Sequence, residues 1–189
     1  MLLLLTLACS SSTEPAPTAL ETVDVATDPA AEAVALAKAS EGIKAFGGAL
    51  KSKLLEEVGK GDAVVAASVC AQDAPAIAAR VALDKGVIVG RSSSKLRNPE
   101  NAGPDWVQAW LADNQAEVRP AGLSEVVDGE ARVLKPLYIE GPCLTCHGPA
   151  ESLSDPARAF LSERYPDDQA TGYSMGELRG AIWATAAVR

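Results

Sequence analysis

Cys143-Leu144-Thr145-Cys146-His147 constrains this chain more than any other stretch. Cys-x-x-Cys-His is the spacing at which two thiols add across the vinyl groups of a c-type haem while the next imidazole is held beneath the iron as proximal ligand. His147 is also the chain's only histidine. One short segment would therefore fix both porphyrin and metal, and the remainder has to fold around a flat apolar macrocycle.

An iron anchored in this way has one further axial position, and the residue counts restrict what fills it. Strong ligands are imidazole, thiolate, thioether, amine or phenolate. No second histidine exists, and Met175 is the only methionine besides Met1. Of the four cysteines, Cys143 and Cys146 would become thioethers and Cys9 has the setting of a lipidation site. The remaining choices are Cys70, Met175, a lysine or tyrosine, or an open or water-filled site.

Two other uses of the motif compete. A strand followed by Gly-Pro-Cys-x-x-Cys also suits a thioredoxin-like dithiol, but only about 40 residues follow it, too few for the remaining βαβ framework. A zinc site needs about four ligands, which Cys143, Cys146, His147 and Cys70 would have to supply together. Covalent haem is the reading that uses every residue of the motif.

The length of 189 residues suits one domain with flanks. Met1 to Ala8 is a leucine-rich apolar run, far below the roughly 20 residues of a membrane-spanning helix, and reads as the end of a signal peptide. Leu5-Thr6-Leu7-Ala8-Cys9-Ser10 resembles a bacterial lipobox with Cys9 as the acylated residue; simple cleavage nearby is the alternative. Export suits c-type haem, which is normally attached outside the bacterial inner membrane. The expected location is the periplasm, with a lipid anchor in the outer rather than the inner membrane. Residues 9–28, rich in Ser, Thr, Pro, Ala and Glu, should form a flexible tether, leaving 29–189 as the haem domain. The net charge of −8 argues against nucleic acid as a partner and for basic proteins or receptor patches.

Periodicity predicts a helix from Pro29 to about Val58, with Gly47-Gly48 bending it. Asp62 should cap a second helix that carries Ala63, Ala66, Ala67, Cys70 and Ala71 on one face. That small-residue surface suits close approach by a macrocycle or by another helix. Asp73-Ala74-Pro75 should restart the helix, which then ends at Lys85-Gly86. Val87-Ile88-Val89 reads as a strand and Arg91 to Gly103 as a long polar loop. Pro104-Asp105 starts a helix whose Trp106, Trp110 and Leu111 are core anchors. Leu123–Val127 and Ala131–Ile139 flank Asp128-Gly129, a hairpin signal. Asp155 to about Tyr165 should be helical, and Glu177 to Val188 fits either strand or helix. Arg91, Lys95, Arg97 and Arg179 are candidates to hold the haem propionates. The sum is an α+β domain, helices first and an antiparallel sheet after.

This arrangement resembles a family of exported bacterial single-haem domains with a PAS-like fold, long catalogued as a domain of unknown function. The resemblance covers roughly Pro29 to the C-terminus. It rests on Val69-Cys70 followed by Ala74-Pro75-Ala76-Ile77-Ala78, then Arg91-Ser92-Ser93, Arg97-Asn98-Pro99-Glu100-Asn101 and Pro104-Asp105-Trp106. Leu137-Tyr138-Ile139 before Cys143-Leu144-Thr145-Cys146-His147-Gly148, and Gly172-Tyr173 with Gly176-Glu177-Leu178-Arg179-Gly180-Ala181, complete it. Asp167-Asp168-Gln169-Ala170 is only loosely similar, and no kinase, cyclase or chemotaxis module follows. The resemblance implies His147 and Cys70 as the axial ligands, inside a PAS-like antiparallel sheet with helices packed around one covalent haem c.

The functional expectation is a redox or diatomic-gas sensor. A thiolate stabilises ferric iron, and its release on reduction would open a site for CO or NO. Any output would pass through a separate signalling partner. The alternative is a membrane-tethered electron-transfer cytochrome serving a redox partner. An enzyme is not expected, because no distal imidazole remains for acid–base work.

Overall fold

The computed structural model describes residues 28–61 and 63–189. The signal peptide, Cys9, nearly all of the tether and the Asp62 cap lie outside the described residues. Helix α1 spans Pro29–Gly59. Asp28 caps it, its Oδ1 accepting from Ala30 N at 3.0 Å, and Pro29 takes a first-turn position where a missing N–H costs nothing. The helix continues unbroken through Gly47-Gly48, and Gly47 serves packing. A Cβ there would lie 2.9 Å from Ile182 Cδ1, so glycine lets the helix press onto the sheet. Ala35, Ala39, Ile43, Phe46 and Leu50 make the buried stripe.

Helices α2 (Ala63–Ser68) and α3 (Ala74–Lys85) are joined by a π-helical turn at Val69–Asp73. The expected restart at Asp73 is therefore replaced by continuation, and Asp73 stays helical without a side-chain cap. Pro75 explains the widened turn. It has no N–H for the carbonyl of Ala71, and its ring would collide with that oxygen in a regular helix. The chain relaxes by one residue, and Ala74 N–H reaches Val69 O, five positions back. By length and composition Ala63–Lys85 is apolar enough to cross a bilayer; here it packs against α1 and the motif region. Gly86, at φ 61°, ends it with its N–H bonded to Ala82 O.

Strand β1 runs Ile88–Ser92, α4 Asp105–Asp113, β2 Leu123–Val127 and β3 Glu130–Tyr138. Beyond the motif come α6 (Asp155–Arg164) and β4 (Leu178–Ala187), with a one-turn helix α5 (Leu144–His147) before them. Asp128 and Gly129, at φ 52° and 73°, form the expected tight turn between β2 and β3. The four strands are antiparallel in the order β1-β4-β3-β2. This is the expected α+β, PAS-like antiparallel sheet.

One ambiguity is resolved in the sheet and one expectation is corrected. Glu177–Val188, ambiguous in sequence, holds a strand buried on both faces. Ile182, Ala184 and Ala186 meet α1, while Ala181 and Trp183 meet Val107 and Leu111 of α4; double burial removes the alternation that marks a half-exposed strand. Strand β1 also runs further than Val87-Ile88-Val89, through Gly90 into Arg91 and Ser92. A Cβ at Gly90 would lie 2.6 Å from Trp183 Cζ2. The neighbouring indole covers the glycine and keeps the strand paired, Gly90 opposite Trp183 and Arg91 opposite Ile182.

Candidate functional site around the Cys-x-x-Cys-His turn

Strand β3 ends in reciprocal bonds from Ile139 N to Glu177 O and from Gly176 N to Ile139 O, both 2.9 Å. Pro142 then opens a 3-10 turn, Gly141–Cys143, that leads into α5. Cys143 and Cys146 consequently sit on one compact turn, Cys143 half-buried and Cys146 buried. Ala67 and Ala71 pack in the same cluster as Cys146, together with Leu153, Phe160, Leu161 and Tyr165. The small-residue face of α2 thus receives the motif helix and α6.

The imidazole of His147 is fixed in one tautomer. Its Nδ1 lies 2.7 Å from Ala170 O, and a carbonyl only accepts, so Nδ1 carries the proton and Nε2 keeps its lone pair. Tyr173 N donates to His147 O at 3.0 Å and Gly172 N to Gly148 O at 2.9 Å, tying the 170–173 segment along the motif. The rings of His147 and Tyr173 meet edge-on at 6.3 Å. Burial, then Arg179 and Arg97, and more weakly Arg91, hold His147 well below the usual histidine range. A neutral ring with a free Nε2 is the ligating form.

Arg91, Arg97 and Arg179 are all brought to this end of the molecule, with different partners. Arg97 Nε pairs with Asp168 Oδ2 at 2.8 Å, and its Nη2 donates to Cys146 O at 2.6 Å and Ala170 O at 3.4 Å. Asp168 Oδ1 accepts from Ala170 N at 2.7 Å. One ion pair therefore grips both the motif and the carbonyl that orients His147. Arg179 Nη1 donates to Ser93 Oγ at 2.5 Å and Lys95 O at 3.3 Å. Arg179 and Lys95 both stack on the Tyr173 ring, at 5.4 and 4.9 Å. Arg91 Nη1 donates to Cys70 Sγ at 3.3 Å and its Nη2 to Cys70 O at 2.7 Å.

Among the described residues, Arg97 alone of these three arginines has a carboxylate partner. Arg179 Nε is buried without a hydrogen-bond partner, and burial lowers the arginine's pKa. Buried cations short of counter-charge are costly, and an anionic group with planar carboxylates is their natural complement. The donor set therefore fits a haem. Cys143 and Cys146 would carry it, His147 and Cys70 would face its metal, and Arg179 with Lys95 would meet its carboxylates.

The competing uses fit less well. A thioredoxin-like dithiol sits in a βαβ framework with parallel strands, whereas every described strand pair here is antiparallel. Among the described residues no group of three or more His, Cys, Asp or Glu converges to hold a metal ion, which leaves the zinc reading without a cage. Met175 is 63% exposed, on the turn before β4.

Asp168, Ala170, Tyr173 and Ser93 build the site without having been singled out as site residues in the sequence. Two of them act through backbone or hydroxyl groups that carry no motif. The segment that looked only loosely similar, Asp167–Ala170, is the one that sets the histidine tautomer.

A family model, Tll0287-like, matches residues 14–186. Among solved structures, the chain is similar to the crystal structure of the cyanobacterial heme-protein Tll0287, at 26% identity and a TM-score of 0.53. That match covers 63% of this chain and 71% of the other. No curated protein matches the chain. With the family model extending from before α1 into the last strand, the chain belongs to the Tll0287-like family.

Proposed function

We propose that this chain is an exported c-type haem protein, tethered through a lipidated Cys9, that acts as a redox or diatomic-gas sensor. The likeness to a heme-protein and the Cys143/Cys146/His147 turn support covalent haem attachment. His147, held as the Nδ1–H tautomer by Ala170 O, would be one axial ligand, and Cys70 the other.

The observation that carries the sensor reading is the placement of Cys70. It sits on a π turn, and Arg91 holds both its sulfur and its carbonyl. A thiolate in that position has an ion-pair partner when it is not ligating, so release leaves no bare buried charge. Haem, when bound, would supply a one-electron couple and a coordination position for a gas. His147 is the sole histidine and would be taken up as an axial ligand, so the chain is read as a binding protein, not an enzyme. Output would go to a separate partner on the periplasmic side of the membrane.

The test uses holo-protein made with a cytochrome-maturation system, with optical and EPR spectra taken oxidised and reduced, for wild type and Cys70→Ala. The expected result is a low-spin thiolate signature lost only in the variant, with the reduced wild type binding CO. Reduced protein that stays six-coordinate and ignores CO would instead identify an electron-transfer cytochrome.

A further inference from the structure

We infer that Arg91 is a positioning residue dedicated to the sulfur of Cys70, and that Arg179 is the arginine available to an external carboxylate. This rests on the reading of Cys70 as an axial ligand. Arg91 projects from β1, where its backbone is paired opposite Ile182 of the doubly buried central strand. The guanidinium therefore starts from an edge strand held on one side by the central strand. Its fork is spent on a single residue, with Nη1 on Cys70 Sγ at 3.3 Å and Nη2 on Cys70 O at 2.7 Å.

The carbonyl contact has a local reason. A π turn ahead of a proline leaves carbonyls of the widened turn without their regular helical donors, and Arg91 supplies a charged donor to one of them. The same contact sets the direction of the sulfur, since the backbone of Cys70 is pinned from the side on which its thiol is held. Arg179 differs on each count. Its contacts are Ser93 Oγ, Lys95 O and the Tyr173 ring, and its Nε is buried and unpartnered. Arg97 is engaged through Nε and Nη2 by Asp168, Cys146 O and Ala170 O.

A hydrogen bond and a positive charge on a thiolate draw electron density away from the metal it ligates, which weakens its preference for the ferric state. Arg91→Gln removes both effects. In holo-protein this variant is expected to shift the thiolate-dependent optical and EPR features and to lower the reduction potential. Arg91→Lys keeps the charge but loses the fork, and should give an intermediate shift. Arg179→Gln should lower the potential while leaving the thiolate features unmoved. In a Cys70→Ala background, Arg91→Gln should produce no further spectral change. Hydrogen exchange across residues 70–74 of the same holo-protein should quicken in Arg91→Gln and not in Arg179→Gln.

Identical spectra for wild type and Arg91→Gln, or a spectral effect of Arg91→Gln that persists without Cys70, overturns the assignment while Cys70 ligation stands. Unchanged spectra in Cys70→Ala alone would remove the ligation reading and the role of Arg91 with it, a pattern distinct from failure of Arg91 by itself. If Arg91→Gln does not fold, Arg91→Lys carries the same comparison.

Discussion

The α1 face of the sheet and the motif end of the molecule are held together by different physics. On the α1 face, Ile43, Phe46 and Leu50 interlock with Val89, Ile182 and Ala184, an apolar contact whose strength follows buried area and is indifferent to direction. At the motif end, arginine side chains reach the carbonyls of Cys70, Cys146 and Lys95. Such bonds are directional, and they fix where a sulfur or an imidazole sits at the cost of burying charge. One region supplies stability and the other supplies position, so damage to each should be read by a different instrument.

The sharpest separation comes from Cys143→Ser/Cys146→Ser. Covalent haem should be lost completely, shown by the bare polypeptide mass and by no colour surviving acid-acetone extraction, while the α1 face keeps its packing and the helical circular dichroism persists. Phe46→Ala should do the reverse. With Phe46 2% exposed, the truncation is expected to cost about 3–5 kcal/mol in urea melts, with haem attachment retained in the folded fraction. Arg97→Gln tests whether position and stability meet in one residue. Removing one partner of a pair whose side chains are 9% and 11% exposed should cost about 3 kcal/mol, and should also broaden the histidine-ligated spectra, because Ala170 O loses its fixed place. If Arg97→Gln changes the melt and leaves the spectra intact, the two-region contrast is wrong at that residue.

Gly90→Val probes the seam between the regions. Its side chain would meet the Trp183 ring, and about 1–3 kcal/mol of overpacking is expected, together with slackening of the strand that carries Arg91. The smallest effect lies at the C-terminal end of α1. Lys53 and Lys60 bond the Glu57 carboxylate at 2.9 and 3.1 Å and hold its pKa below the ordinary 4.5. A carboxylate with a depressed folded pKa stabilises the fold above its ordinary value and loses that contribution as pH falls through the lowered one. Glu57→Gln should therefore lower stability slightly near neutrality, where the ion pairs are fully formed, and flatten the acid limb of the stability–pH curve below about 4.5, where variant and wild type converge.

Much of the scaffold was legible because its signals are local. Asp28-Pro29 opens α1, Asp128-Gly129 makes the hairpin and Asp155-Pro156 begins α6, each through short-range backbone chemistry. The motif itself was legible for the same reason. What was hidden depends on partners distant in sequence. Gly90 looks like the end of a strand until Trp183 is laid beside it, and β4 has no readable period because α1 and α4 cover opposite faces. The convergence of Arg91, Arg97 and Arg179 on the motif could be listed as a set of candidates but not sorted, since their separate partners lie in four different segments. Ala170 acts only through a carbonyl and left no trace in side-chain pattern.

The widened turn at Val69–Asp73 also sets the rotational phase of the long helix. Residues seven apart share a face in a regular α-helix, yet Ala67 lies in the cluster around Cys146 and Ala74 in the cluster under α1. One additional residue advances the azimuth by about 100°, enough to keep Val69, Ala74 and Val81 aligned toward the sheet while Ala67 looks toward the motif. The rod works like a crankshaft with two throws, and Cys70 occupies the journal between them.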